Sequence, residues 1–312
     1  MKNSKLTIIA IVIIAVLILV GYFIYQSQTD KKPKTIKIGF LVPTLENPFF
    51  VDMADAAMNM SSEKIKILVQ ASQDELKQNQ IIENFITQSV DAICFVPINS
   101  ESIIPAIVKA NKADIPVVNI DNKVNMESAN KQGAEIAFYI GSDNFEGGQL
   151  AAKFIANKLN SKGTVAILEG VTGNDAAIKR KGGFEDALRT YSDIKIVASQ
   201  AADWNRQKAN DIFEAIIAAH PKLDAVFACN DEMALGVIAA MNSNKIPLNS
   251  IVVVGFDAID EAVKAVKEGK LDATIAQQPK LMGKQSIELL LDLLNGKTVN
   301  KSYSTPLKVI SQ

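Results

Sequence analysis

Apolar and polar positions divide this chain into three regimes. Across residues 6–25 apolar side chains run for 20 positions without a charge, which at about 1.5 Å per helical residue covers the roughly 30 Å hydrocarbon core of a bilayer. A cleavable signal has a shorter apolar core, ~7–15 residues, followed by small residues; here Tyr22, Phe23, Ile24, Tyr25 and Gln26 close the run. The segment predicts an uncleaved transmembrane signal anchor over residues 1–25. The next ten residues, 26–35 (QSQTDKKPKT), are polar, contain Pro33 and lack periodicity, as a tether does.

Beyond the tether, short β-branched runs alternate with longer stretches of helical period, the pattern of repeated βα units around a parallel sheet. Strands are expected at 36–42, 65–69, 92–96, 117–120 and 137–141, then at 164–168, 194–198, 225–228 and 251–254. Helices are expected near 49–61, 76–88, 103–111 and 147–159, then near 176–190, 207–219 and 233–241. One strand in each series opens on a similar phrase, Asp91-Ala92-Ile93-Cys94-Phe95 and Asp224-Ala225-Val226-Phe227-Ala228. This echo favours two like lobes over one large sheet, as does a length of 312 residues, since single cores stop growing at ~250–300.

Composition narrows the chemistry. With 48% apolar and 21% charged residues the chain is an ordinary folded protein. Leaving out the first 35 residues, 28 basic side chains face 33 acidic ones, the wrong sign for neutralising phosphates, so no nucleic-acid partner is expected. Cys94 and Cys229 lie far apart within apolar runs and read as buried free thiols; no CxxC metal site is available. The one histidine, His220, precedes Pro221 and reads as a loop residue. No GxGxxG follows the first strand, and neither GxxxxGK[ST] nor GxSxG is present. No enzyme and no cofactor is expected, although Asp203 and Asp257 form a conceivable acid–base pair.

In open α/β sheets, ligands bind beyond the carboxyl ends of the strands. Those ends carry Asn47, Phe49 and Phe50, then Asp121 and Asn122; in the second half they carry Asn174-Asp175, Asp203-Trp204-Asn205, Asn230-Asp231 and Phe256-Asp257. Amides and carboxylates pair with adjacent hydroxyls while an aromatic face covers the C–H face of a sugar ring, a set suited to a neutral polyhydroxylated ligand. Asn174, Asp175, Asn230 and Asp231 also stand where helix N-caps are expected with no ligand at all. Phe49 and Phe50 read equally as core residues of a first helical turn.

In sequence, residues 36–312 resemble the pentose and hexose branch of the periplasmic binding protein family. The phrases that carry the resemblance are Thr44-Leu45-Glu46-Asn47-Pro48-Phe49-Phe50, Ser142-Asp143-Asn144, Ala201-Ala202-Asp203-Trp204, the stretch from Phe227 to Gly236, Val253-Val254-Gly255-Phe256-Asp257 and Ala273-Thr274-Ile275-Ala276-Gln277. The resemblance implies two doubly wound parallel-sheet lobes joined by a three-segment hinge: residues 36–139 with 279–306, and residues 140–278 with 307–312. It implies ligand contacts from Asn47, Phe49, Phe50, Asp121, Asn122, Trp204, Asn230, Phe256, Asp257 and Gln277. Ribose-binding members carry arginines where this chain has Asn122 and Ile178, and Arg180 matches an arginine of theirs that does not touch ligand. Trp204 and Pro43 replace a phenylalanine and a serine.

The expectation that follows is a membrane-anchored, extracytoplasmic binder of a small sugar, a pentose with D-xylose ahead of D-ribose. Hinge closure would present the occupied state to a membrane ABC permease or a membrane histidine kinase. A receptor for inositol or an autoinducer on the same two lobes is the alternative. A transcription regulator of the lac-repressor type shares the fold, but the apolar segment stands where its DNA-binding helices would be.

Overall fold

The computed structural model describes residues 16–20, 22 and 35–312. The expected anchor and tether fall almost wholly outside this set; among the described residues no helix is long and apolar enough to cross a membrane.

Two six-stranded sheets account for all twelve strands among the described residues. The first is built from β1 (Ile36–Val42), β2 (Ile65–Ala71), β3 (Ala92–Phe95), β4 (Val117–Ile120), β5 (Phe138–Ser142) and β11 (Ser302–Thr305), in the order β11-β5-β4-β3-β1-β2. The second contains β6 (Lys162–Glu169), β7 (Asp193–Ala201), β8 (Ala225–Ala228), β9 (Val252–Asp257), β10 (Ala273–Ala276) and β12 (Lys308–Ser311), in the order β12-β10-β9-β8-β6-β7. All pairings are parallel except β10 with β12. Each order reverses once, next to the sheet's first strand, which creates a crevice at the carboxyl ends.

Strands covered on both faces read as continuous apolar runs. β3, β4, β8 and β10 are buried at every position. Alternate residues face opposite layers: Ile38, Phe40, Cys94 and Val118 join one cluster, while Leu41, Ile93, Phe95 and Val117 join the other.

The helices are α1 (Pro48–Met58), α2 (Glu75–Thr87), α3 (Ile104–Lys112), α4 (Met126–Lys131), α5 (Asn144–Lys158), α6 (Asp175–Leu188), α7 (Arg206–Ala219), α8 (Asp231–Ser243), α9 (Asp260–Lys267) and α10 (Pro279–Leu294). Asn47, Asp74, Asn125, Asp143, Asn174, Asn205 and Asn230 each cap a helix by accepting from its first-turn N–H groups. Capping thus explains why asparagine recurs at strand ends, and a second observation is needed to make any of them a ligand residue.

The chain passes between sheets three times: from β5 into α5 and β6, from β10 through α10 to β11, and from β11 to β12. β5 stays in the first sheet to Ser142, where it pairs with Thr305 of β11, so a boundary after residue 139 falls within that strand. Ser142 Oγ and Thr305 Oγ1 meet at 3.1 Å, tying two of the crossings together.

Candidate functional site

Between the carboxyl ends of the two sheets lies a cavity of about 60 Å³, measured as the space open to the centre of a water-sized sphere. The first sheet contributes Pro43, Asn47, Phe49 and Phe50 from the β1–α1 connection, Val96, Pro97 and Ile98 after β3, and Asp121 and Asn122 after β4. The second contributes Asn174, Ala176 and Arg180 from the start of α6, Trp204 after β7, Asn230 after β8 and Asp257 at the end of β9.

The aromatic walls are set by local packing. Phe49 and Phe50 meet edge to face, with centroids 5.2 Å apart. The Trp204 indole lies against Gly170 so closely that a Cβ there would stand 2.0 Å from the ring. Backbone geometry is unusual at the same places: Asp121, Asp203, Trp204, Asp257 and Ala258 have φ of 60°, 52°, 61°, 116° and 58°. They are half of the ten described non-glycine residues with positive φ, a conformation that costs ~1–3 kcal/mol and persists where the surroundings impose it.

One guanidinium faces the cavity. Arg180 is 3% exposed; its Nε donates to Asn144 Oδ1 at 2.8 Å and its Nη1 to the Cys229 carbonyl at 2.7 Å. The same Nη1 is 3.4 Å from Asp257 Oδ1, and the guanidinium plane covers Phe256 at 3.7 Å from the ring centroid. Gln277 Nε2 also donates to Asp257 Oδ1, at 2.8 Å. Burial pushes the Asp257 carboxyl up to about 7 against the pull of Arg180. Burial likewise pushes Asp121 up to about 6, with Arg180 opposing. Asp121 Oδ1 has no hydrogen-bond partner, although its backbone is fixed by Ile140 O and the Tyr139 hydroxyl.

Four hydrogen bonds cross from lobe to lobe beside the cavity. Ser100 Oγ and Asn122 Oδ1, both after first-sheet strands, accept from the N–H groups of Asp175 and Ala176, at 3.0 and 3.1 Å. Asn174 Nδ2 donates to the Ile98 carbonyl at 2.9 Å, and Ser100 N–H to the Gly173 carbonyl at 3.2 Å. One lobe therefore caps a helix of the other, and this is a shut conformation.

Eight of the ten expected contact residues line the cavity: Asn47, Phe49, Phe50, Asp121, Asn122, Trp204, Asn230 and Asp257. Phe256 and Gln277 stand behind the wall instead, as the ring under Arg180 and the donor to Asp257. Asn122 spends both ends of its amide on protein, accepting from Ala176 and donating to the Pro97 carbonyl at 2.7 Å. Asn47, Asn174 and Asn230 are both caps and lining residues. Asp203 pairs with Lys208 outside the cavity, so no acid–base pair with Asp257 is assembled. Arg180, which the resemblance implies stands clear of the ligand, lines the cavity: Ala176 and Arg180, four apart, share the cavity face of α6, whereas Ile178 is 58% exposed. That spacing was the available signal.

Residues 38–298 match the family model described as a periplasmic binding protein domain. The chain belongs to that family. Among its relatives, the ribose import binding protein of Bacillus subtilis (strain 168) is 40% identical over 281 residues, covering 89% of this chain and 88% of that protein. The D-allose-binding periplasmic protein of Escherichia coli (strain K12) is 34% identical over 277 residues, 86% of this chain and 88% of that one. A periplasmic solute-binding protein of an ABC transporter from Actinobacillus succinogenes 130z, solved with bound D-allose, superposes with a TM-score of 0.83 at 36% identity, over 89% of this chain and 98% of its own. An ABC transporter solute-binding protein from Bacillus halodurans C-125, solved with myo-inositol, gives 0.82 at 28% identity, over 90% and 96%. These relatives are binding proteins rather than enzymes. Members of this family act outside the cytoplasm, which agrees with an extracytoplasmic binding domain.

Proposed function

We propose that this chain binds a monosaccharide-sized sugar or polyol between its lobes and delivers the shut form to an ABC permease. The observation that carries the reading is a closed inter-lobe cavity that combines aromatic faces with buried amide and carboxylate groups, one of whose oxygens, Asp121 Oδ1, has no protein donor. The similarity to binding proteins for ribose and allose supports a sugar. Pentoses come first, D-xylose ahead of D-ribose, because Asn122 and Trp204 line the cavity where ribose-binding members carry an arginine and a phenylalanine, so its hydrogen-bond map departs from that of a ribose site. A cyclitol is the second reading, supported by the likeness to the myo-inositol-bound structure.

The apolar run 6–25 supports retention at the membrane as a single-pass anchor, which favours a partner fixed beside it, a permease first and a membrane histidine kinase second. Ligand holds the lobes shut because only the shut state offers both walls at once.

Trp204 is the only tryptophan, so its emission reports the cavity directly. Titrating the full chain with xylose, ribose, arabinose, allose, glucose, galactose and myo-inositol should give a saturable shift with at least one of them. No response across the panel, with no heat in calorimetry, would refute the reading.

A further inference from the structure

The ionisable groups around the cavity are not equally provided with partners. The ionisable lining groups are Asp121, Asp257 and Arg180, and a third carboxyl, Asp231, is buried behind them at 1% exposure. Asp231 is satisfied within the protein, accepting from Thr274 Oγ1 at 2.6 Å and from Ile259 N–H at 2.9 Å. Asp257 has Arg180 and Gln277. Arg180 is engaged by Asn144, Cys229, Asp257 and the Phe256 ring. Lys123 lies over the Tyr139 ring, 5.0 Å from its centroid, and is not a lining residue.

Asp121 is what remains. It is 5% exposed, lines the cavity, and among the described residues no donor reaches its Oδ1. A ligand hydroxyl would supply a donor but place no positive charge opposite the buried Asp121 carboxyl, the one lining guanidinium being engaged by Asn144, Cys229 and Asp257. A protonated amine supplies the donor and the missing charge together, and charge-assisted hydrogen bonds are about twice as strong as neutral ones. Resting on the sugar or polyol reading above, we infer that the preferred ligand is an amino-substituted sugar or cyclitol whose ammonium group sits on Asp121 while its hydroxyls meet the remaining polar walls.

Calorimetry on the full chain tests this with matched ligands: neutral pentoses, hexoses and myo-inositol, their aminodeoxy counterparts with the amine at each ring position, and the N-acetyl forms of those amines. The expected result is one amine that binds at least about tenfold tighter than its parent alcohol, with the advantage lost on N-acetylation. In Asp121→Asn, whose fold is checked by its melting temperature, the amine-to-alcohol ratio should fall to about one. If that variant fails to fold, the N-acetyl comparison on the unaltered chain carries the test from the ligand side. Alcohols that bind while every amine binds no better overturn the inference and leave the sugar reading standing. A silent response to both series overturns the two together, and an amine preference that survives Asp121→Asn overturns the assignment to that residue.

Discussion

Ser100 allows the closing step to be measured apart from ligand contact. It is buried at 6% exposure yet does not line the cavity, and its Oγ accepts the Asp175 N–H of the other lobe at 3.0 Å. Ser100→Ala removes this acceptor while leaving the Ser100 N–H to Gly173 carbonyl bond to the backbone. A hydrogen bond contributes a net ~0.5–1.5 kcal/mol, and the helix N–H left without a partner adds to the loss. A total of about 1–2 kcal/mol corresponds to roughly 5–30-fold weaker binding at 1.4 kcal/mol per factor of ten. Because the bond joins the two lobes, the cost falls on the shut state alone: dissociation should speed up by most of that factor while association changes little. The assay is stopped-flow Trp204 emission with whichever ligand saturates it, alongside the melting temperature of the ligand-free chain. An affinity within twofold of the unaltered protein would refute the argument. So would a ligand-free melting point lowered by the several degrees that 1–2 kcal/mol represents, since Ser100 would then be supporting a lobe rather than closure.

Further predictions concern the lobes themselves. Asp121 and Asp257 titrate near 3.8 when unfolded but at about 6 and about 7 when folded, so the folded chain binds more protons between those values and loses stability as pH rises through the window. For Asp121 alone the loss is at most about 3 kcal/mol at ~1.4 kcal/mol per pKa unit; the melting-point gap between Asp121→Asn and the unaltered protein should widen from pH 5 to 8, and a constant gap would be the contrary result. At Gly148, an added Cβ would lie 2.0 Å from the Arg180 carbonyl oxygen, so Gly148→Ala should cost about 1–3 kcal/mol by overpacking α5 against α6 and weaken ligand binding by displacing Arg180; unaltered thermal unfolding would refute this. Cys94 and Cys229 are fully buried, and burial pushes the Cys229 thiol up to about 12 and Cys94 higher still; a thiol reagent should find neither in the native protein and both after denaturation.

Alternating βα units and both lobes were legible because parallel strands buried on two faces leave unmistakable apolar runs, such as Ala92–Phe95 and Ala225–Ala228. Elements after β9 were not placed, including the fully buried β10, the 16-residue α10 and β11, with one buried position in four, nor was the six-residue α4. At the site, residue type predicted the wall but not its depth. Phe256 lies directly under the Arg180 guanidinium, 3.7 Å from its ring centroid, so Arg180 rather than the ring forms that part of the wall.

The asparagines show why capping and binding could not be separated in sequence. Asn174 satisfies α6 through Ala177 N–H and, with its other end, reaches the Ile98 carbonyl of the opposite lobe. The same helix takes its next caps from Ser100 and Asn122 across the cleft. Opening the lobes would strip those two N–H groups of their partners, while the amide of Asn174 that caps Ala177 would stay in place. The helix start is thus held partly by its own residue and partly by the closed state. A ligand that seats Arg180, one turn along the same helix face, therefore acts on an element whose hydrogen bonding already depends on closure.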